Sequence, residues 1–208
     1  GCVSLGCLAA DGHNVIGVDT NLSKLELINS GKSTVIEKDL NKLIFTGVSD
    51  KKIIATDNYI HAVKNSDVSI ICVGTPLAKD GSLDISHVLK VSEQIAEALK
   101  SKKSFHIISV RSSVPPGTIS KIENIIAGIS NKVVDEDFSV LANPEFLREG
   151  SAVYDYYNPS YTLIGGSNET AMNSLASVYN KVKAEVVLTN ISNAELIKFV
   201  NNSFHALK

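Results

Sequence analysis

Lys198 and Asn202 stand four residues apart, the spacing that brings a cation and an amide donor onto one helical face. Such a pair can stabilise an alkoxide as charge develops on oxygen, although an arbitrary Lys/Asn pair is usually a solvated helix face. Upstream, Asn143-Pro144-Glu145-Phe146-Leu147-Arg148-Glu149-Gly150 sets two carboxylates four apart around an apolar pair. Its plain reading is an exposed helix start with a Glu145–Glu149 charge face. Arg111-Ser112-Ser113-Val114-Pro115-Pro116-Gly117-Thr118 places two hydroxyls before a rigid proline turn. Read plainly, it leads to an N-cap at Gly117; read as chemistry, it pins a hydroxyl at the active edge of a sheet. Arg111 and Arg148 are the chain's only arginines, and both fall in these two segments. Arginine suits bidentate or buried roles better than lysine does.

Two further segments point to a bound dinucleotide. Asn14-Val15-Ile16-Gly17-Val18-Asp19 ends an apolar strand on a carboxylate, after a small-residue stretch running from Gly1. A carboxylate there accepts hydrogen bonds from an adenosine ribose and repels a 2′-phosphate, which favours NAD over NADP. The competing reading of Asp19 is a cap for the helix from Asn21 onward. Gly1 could stand only as the third glycine of a G-x-G-x-x-G motif, so a first strand and two glycines are expected before it. Val73-Gly74-Thr75-Pro76 closes another apolar run. Gly74 lets backbone approach a ligand and Thr75 offers a hydroxyl, but alone the segment reads as a turn.

The elements that must carry these residues alternate. Strands are expected at 14–18, 52–55, 68–73, 105–110, 138–142, 161–164 and 184–188. Between them helical spacing appears at 22–29, 37–45, 57–64 (opened by Asp57), 85–100 (capped by Asp84), 118–127 and 168–181. Strands alternating with helices predict an α/β, Rossmann-like, doubly wound and mainly parallel sheet, whose ligands bind beyond the carboxyl ends of its strands. The segments after Val18, Val73, Val110 and Ala142 fall there. Ser192-Asn193-Ala194-Glu195 reads as a capping box opening a helix with Leu196, Val200 and Leu207 in line. That helix meets no stop signal by Lys208, so residues 1–190 are expected to form a dinucleotide-binding domain and 191–208 the start of a long central helix.

Composition narrows the classes. Twenty basic and 22 acidic residues leave a net charge of −2 with no basic stripe, which argues against nucleic acid or an acidic membrane as partner. The longest apolar runs are strand-sized, too short to span a bilayer, and no signal-peptide pattern follows Gly1. Cys2, Cys7 and Cys72 form no C-x-x-C pair and have no neighbouring histidine cluster, so neither a zinc site nor a disulfide framework is expected. They read as small buried hydrophobes in a reducing compartment.

Taken together, GHNVIGVD, DVSIICVGTP, RSSVPPGT, NPEFLREG and AELIKFVNNSFHALK occur in the order and approximate spacing of the nucleotide-sugar 6-dehydrogenases. Over essentially its whole length the chain resembles the NAD-binding half of that UDP-glucose/GDP-mannose dehydrogenase family. The resemblance implies oxidation of the C6 hydroxyl of a nucleotide-linked hexose to a carboxylate, with two NAD and an aldehyde-level intermediate on a cysteine. It implies NAD contacts at Gly1, Asp19, Lys24, Gly74, Thr75, Ser113 and Glu149. Ser113 and Glu149 would position water for thioester hydrolysis. Glu145, Phe146 and Leu147 would lie along the substrate side, and Lys198 and Asn202 would stabilise the oxyanion. Serine at 113 departs from the family's usual threonine, keeping the hydroxyl but losing the methyl that restricts its rotamer. The nucleophilic cysteine would lie in a later domain, so this chain alone should not complete the reaction.

The same resemblance implies a cytoplasmic homodimer joined through the helix near Ser192 and a role in polysaccharide precursor synthesis. His205–Lys208 and Asn158–Gly166 lean toward GDP-mannose, with UDP-glucose the near alternative. Two other readings stay open from sequence: a β-hydroxyacid dehydrogenase of the 6-phosphogluconate type, which also pairs Lys-x-x-x-Asn, and a non-catalytic dinucleotide-binding module. The leading reading requires Asp19, Thr75, Ser113 and Glu149 to meet at one rim, with the Lys198 amine in the same hollow.

Overall fold

A computed structural model describes residues 1–207. Lys208 and the side chains of His205 and Ala206 lie outside the described residues, and with them most of the His205–Lys208 lean. The protein is α/β with mainly parallel strands, and it divides into two compact units.

The first unit comprises residues 1–66, 146–160 and 178–184. Helix α1 (Cys2–Ala10) turns tightly into strand β1 (Val15–Val18), which pairs in parallel with β2 (Ile53–Thr56). Gly6 allows close packing here: a Cβ on it would stand 3.0 Å from Leu40 Cδ1, whereas one on Gly17 would make an ordinary contact, 3.4 Å from Leu5 Cδ1. Between β1 and β2 run α2 (Leu22–Asn29) and α3 (Leu40–Ser49), followed by α4 (Tyr59–Lys64). Leu5, Ala9, Ile28, Leu40, Ile44 and Ile53 make the apolar core.

In the second unit, residues 67–145, 161–177 and 185–208, five strands lie in the order β3 (Val68–Ile71), β4 (His106–Val110), β5 (Phe138–Ala142), β6 (Thr162–Gly165) and β7 (Val186–Thr189). All neighbours are parallel except β5 and β6. Every residue of β4 and β5 is buried, which is why these strands read as unbroken apolar runs rather than alternating ones. Helices α5 (Ser86–Leu99) and α6 (Thr118–Ser130) pack together and bury Val88, Ile95, Leu99, Ile119, Ile122 and Ile126. Helix α8 (Glu169–Val178) buries Leu175, and α9 (Ile191–Leu207) packs on β5 and β6. Gly165 and Gly166 act here through size: a Cβ on Gly165 would collide with Ala194 of α9, and one on Gly166 with Leu141.

Several element boundaries correct the sequence expectation, each for a local reason. Helix α3 begins at Leu40, not Glu37, because Asp39 adopts the left-handed region at φ 65°. Asn58, not Asp57, opens α4, its side chain accepting from the His61 N–H at 2.9 Å. Ile85 caps α5, while Asp84 accepts from the Ser86 N–H at 2.8 Å, a turn just before the helix. The segment from Asn143 to Arg148 is irregular rather than a helix start; the next helix, α7, spans Ala152–Tyr157. The capping box at Ser192–Glu195 does not form. Asn190 accepts from the Asn193 N–H at 2.8 Å, and Glu195 is directed elsewhere.

Candidate functional site

In the second unit, adjacent parallel strands bring three of the singled-out segments to one edge. Ile71 pairs with Val110 and Val110 with Ala142, so the chain leaves β3, β4 and β5 side by side. Ser112 ties the first two exits together: its Oγ donates to the Val73 carbonyl at 2.6 Å, and its N–H to the Ile71 carbonyl at 3.1 Å. Thr75 and half-buried Ser113 follow these anchors. Gly74 is exposed, and a Cβ there would meet nothing within 4 Å, so the backbone is open to a ligand. The third exit is held by fully buried Asn143. It accepts from Arg111 Nη1 at 3.2 Å and donates to the Leu163 carbonyl at 2.9 Å.

Helix α9 reaches the same edge twice. Lys198, 7 % exposed, donates from its amine to the Glu145 main-chain carbonyl and lies 3.6 Å from the Glu145 carboxylate. One turn earlier, Glu195 is 4 % exposed and accepts from the Gly117 N–H at 2.7 Å and the Ile119 N–H at 2.9 Å. Those N–H groups open α6, where a helix leaves unpaired donors and partial positive charge, so Glu195 is an N-cap supplied from a distant helix. Asn202, one turn beyond Lys198, is exposed. The second unit thus brings the segments of Gly74, Thr75, Ser113, Glu145 and Lys198 to one edge, and leaves Asn202 exposed.

The first unit holds Gly1, Asp19, Lys24, Phe146, Leu147 and Glu149. Asp19 stands just beyond β1; its Oδ1 accepts from the Asn21 N–H at 2.9 Å, and its Oδ2 is 3.5 Å from the Lys24 amine. Asn21, not Asp19, caps α2, accepting from the Lys24 N–H at 3.2 Å, so the capping alternative for Asp19 falls away. Because α1 turns straight back into β1 and Leu5 rests on Gly17, the N-terminal turn of α1 lies beside the end of the strand that bears Asp19. Glu149 is exposed within a clamped turn. Arg148 binds Asp155 through Nε at 3.1 Å, Nη2 at 2.7 Å and its N–H at 2.9 Å. The Arg148 guanidinium holds the Asp155 carboxyl down to about 2. Helix α7 is anchored in turn, Tyr157 donating to Asp11 at 3.1 Å; burial pushes this phenol above its ordinary range.

Both arginines therefore take the expected kind of role, one buried and one bidentate, but toward protein partners. Ser112, Asn143 and Glu195 position the edge, roles that their segments did not announce in the sequence: Glu195 read there as half of a local capping box. Asn143 and Ser112 flank the singled-out residues, and that adjacency was the only available signal. A cavity of about 320 Å³ in the first unit, formed by residues 33–37 and Asn41, contains none of the singled-out residues.

Residues 1–183 match the model of the UDP-glucose/GDP-mannose dehydrogenase family, NAD binding domain. The chain belongs to this family. It is 40 % identical to the GDP-mannose 6-dehydrogenase of Pseudomonas savastanoi pv. phaseolicola, covering 100 % of this chain and 48 % of that protein. It is 34 % identical to UDP-glucose 6-dehydrogenase TuaD of Bacillus subtilis, covering 100 % and 44 %. A ternary complex of GDP-mannose dehydrogenase from Pseudomonas aeruginosa superposes with a TM-score of 0.98 at 40 % identity, over 100 % of this chain and 48 % of that one. The chain spans about half the length of the curated relatives it matches. Family membership decides against the β-hydroxyacid dehydrogenase alternative, and the cofactor is NAD.

The residues fit that cofactor. The Asp19 carboxylate is 40 % exposed and spends one oxygen on a backbone N–H, which leaves acceptor capacity for ribose hydroxyls. Its contact with half-exposed Lys24 is long, and such surface pairs contribute little. The start of α1 has no acidic side chain and no side-chain cap, so its N–H groups and dipole suit a pyrophosphate.

Proposed function

We propose that this chain is the NAD-binding part of a nucleotide-sugar 6-dehydrogenase that oxidises the C6 hydroxyl of a GDP- or UDP-linked hexose to the uronate in two hydride transfers. Residues 1–190 bind the dinucleotide, and 191–208 begin the helix leading to the rest of the enzyme. The observation that carries the reading is the buried Lys198 amine held against Glu145 at the edge where the Thr75 and Ser113 segments leave the sheet. A lysine kept at such an edge by a main-chain carbonyl is preorganised for negative charge, rather than left on a solvated face.

NAD, when bound, accepts the hydride. This chain's residues supply binding, orientation and charge stabilisation, while the nucleophilic cysteine belongs to the rest of the enzyme. Asp19 accepts from the adenosine ribose, with Lys24 beside it, and the turn at Gly1 receives the pyrophosphate. Gly74 and Thr75 meet the dinucleotide through backbone and hydroxyl. Glu145, Phe146 and Leu147 line the substrate. Lys198, with Asn202, would stabilise negative charge on the C6 oxygen as its proton passes to water and hydride leaves carbon. Ser113 and Glu149 orient water, Glu149 taking its proton as a general base. Cys7 is fully buried, and none of Cys2, Cys7 and Cys72 is assigned as nucleophile.

GDP-mannose is the favoured substrate, supported by the higher identity to GDP-mannose 6-dehydrogenases than to TuaD. Exposed Leu196, Val200 and Phe204 along α9 support a homodimer in the longer protein. Among the described residues no helix is long and apolar enough to cross a membrane. A cytoplasmic place in polysaccharide precursor synthesis completes the reading. Its test is NADH formation by the full-length protein with GDP-mannose and UDP-glucose in parallel. Faster turnover of GDP-mannose is expected, and no turnover of either would remove the proposal.

A further inference from the structure

We propose that Glu37 is a positioning residue for Glu149. The inference rests on the reading above, in which the Glu149 carboxylate orients water beside NAD. Glu37 lies in the connection between α2 and α3, far from Glu149 in sequence. Its Oε1 accepts from the Gly150 N–H at 2.8 Å, and its Oε2 from the Ala152 N–H at 3.2 Å. Both oxygens are thus spent on the backbone immediately after Glu149. This use is also why Glu37 stands outside α3: Asp39 breaks the helix in the left-handed region and leaves Glu37 free to reach the other segment.

The turn is held from its other side as well. Arg148, immediately before Glu149, is fixed by three hydrogen bonds to Asp155. Gly150 itself adopts φ 83°, a conformation that only glycine holds without strain. Glu149 makes no hydrogen bond of its own among the described residues, yet both of its neighbours are pinned. A pinned backbone fixes the point from which the Glu149 side chain extends, so its carboxylate searches one region beside the turn rather than moving with a mobile loop. Charge-assisted acceptors hold N–H groups more strongly than neutral ones do. A glutamine at 37 could satisfy only one of the two N–H groups and would turn its amide donor toward the other.

The experiment uses the full-length protein with NAD and GDP-mannose or UDP-glucose, whichever it turns over. Glu37→Gln and Glu37→Ala are compared with Glu149→Gln and with the double variant Glu37→Gln/Glu149→Gln. Amide hydrogen exchange should speed up by roughly tenfold, the effect of losing one charge-assisted hydrogen bond, at both Gly150 and Ala152 in Glu37→Ala and at one of the two in Glu37→Gln. Turnover should fall with little change in KM. In the double variant it should fall no further than in Glu149→Gln alone, because the two residues act as one unit. Should Glu37→Ala fold poorly, Glu37→Gln keeps the side chain's size and carries the test. Unchanged exchange, or an equal turnover loss with and without Glu149, would overturn the proposal and make Glu37 a structural residue only. Full turnover by Glu149→Gln would instead remove the reading of Glu149 itself. Full turnover by the Glu37 variants beside an impaired Glu149→Gln would remove only the role of Glu37.

Discussion

Lys198 carries the sharpest prediction at the scale of single residues. Its amine is buried and held by Glu145, so replacing it deletes a preorganised donor. In the full-length enzyme Lys198→Ala should cost roughly 3 kcal/mol of transition-state stabilisation, about a hundredfold in turnover. NAD affinity measured by calorimetry should stay near that of the parent, and equal loss of both would make the residue structural. Asp155 gives a pH prediction. Its carboxyl is depressed from 3.8 to about 2, chiefly by the Arg148 hydrogen bonds. A depressed carboxyl contributes stability above its unfolded value, and that stability is lost as pH falls through the folded one. Denaturant titrations should therefore show wild type more stable than Asp155→Asn at pH 5, with the gap closing between about pH 4 and 2. A gap that persists at pH 2 would mean the Arg148 pair does not titrate as described. The arginines were legible as residues with unusual work. Their partners Asn143 and Asp155 were not, because no pattern in a sequence announces an acceptor that arrives from another segment.

For the elements, the cap that Glu195 places on α6 is the most exposed to test. One buried N–H group, that of Ile119, and one part-buried, that of Gly117, lose their acceptor in Glu195→Ala, at an expected cost of about 2 kcal/mol in unfolding free energy. Equilibrium denaturation would measure it; a change below about 0.5 kcal/mol, the range of ordinary surface substitutions, would rule out the cap. The sequence S-x-x-E at 192–195 looked like a capping box because its local spacing is right. Spacing cannot reveal a stronger offer, here the free N–H groups at the start of α6, and the glutamate went there. Strands β4 and β5 were legible to within a residue, since burial on both faces leaves an uninterrupted apolar run. The start of α3 was not, because a left-handed Asp39 has no signature in hydrophobic period.

At the scale of the whole molecule, the α/β class and mainly parallel strand pairing followed from strand–helix alternation alone. The division into two compact units did not, because it depends on which distant segments pack together: 146–160 and 178–184 join the first 66 residues. If NAD binds the folded protein as the family assignment states, saturating NAD should stabilise it. At a hundred times Kd the gain is about 2.7 kcal/mol, read as a rise in Tm, and Asp19→Ala should shrink it at the same NAD concentration. No rise with NAD, or one undiminished by Asp19→Ala, would contradict the assigned adenosine contact.

The most direct measurement for the reaction as a whole is the stoichiometry of cofactor reduction. The full-length protein is given limiting GDP-mannose, or UDP-glucose, and excess NAD, and NADH is counted per sugar nucleotide consumed. Two NADH for each molecule, with a uronate product, are the expected result. One NADH with an aldehyde left in solution, or none with either substrate, would contradict it.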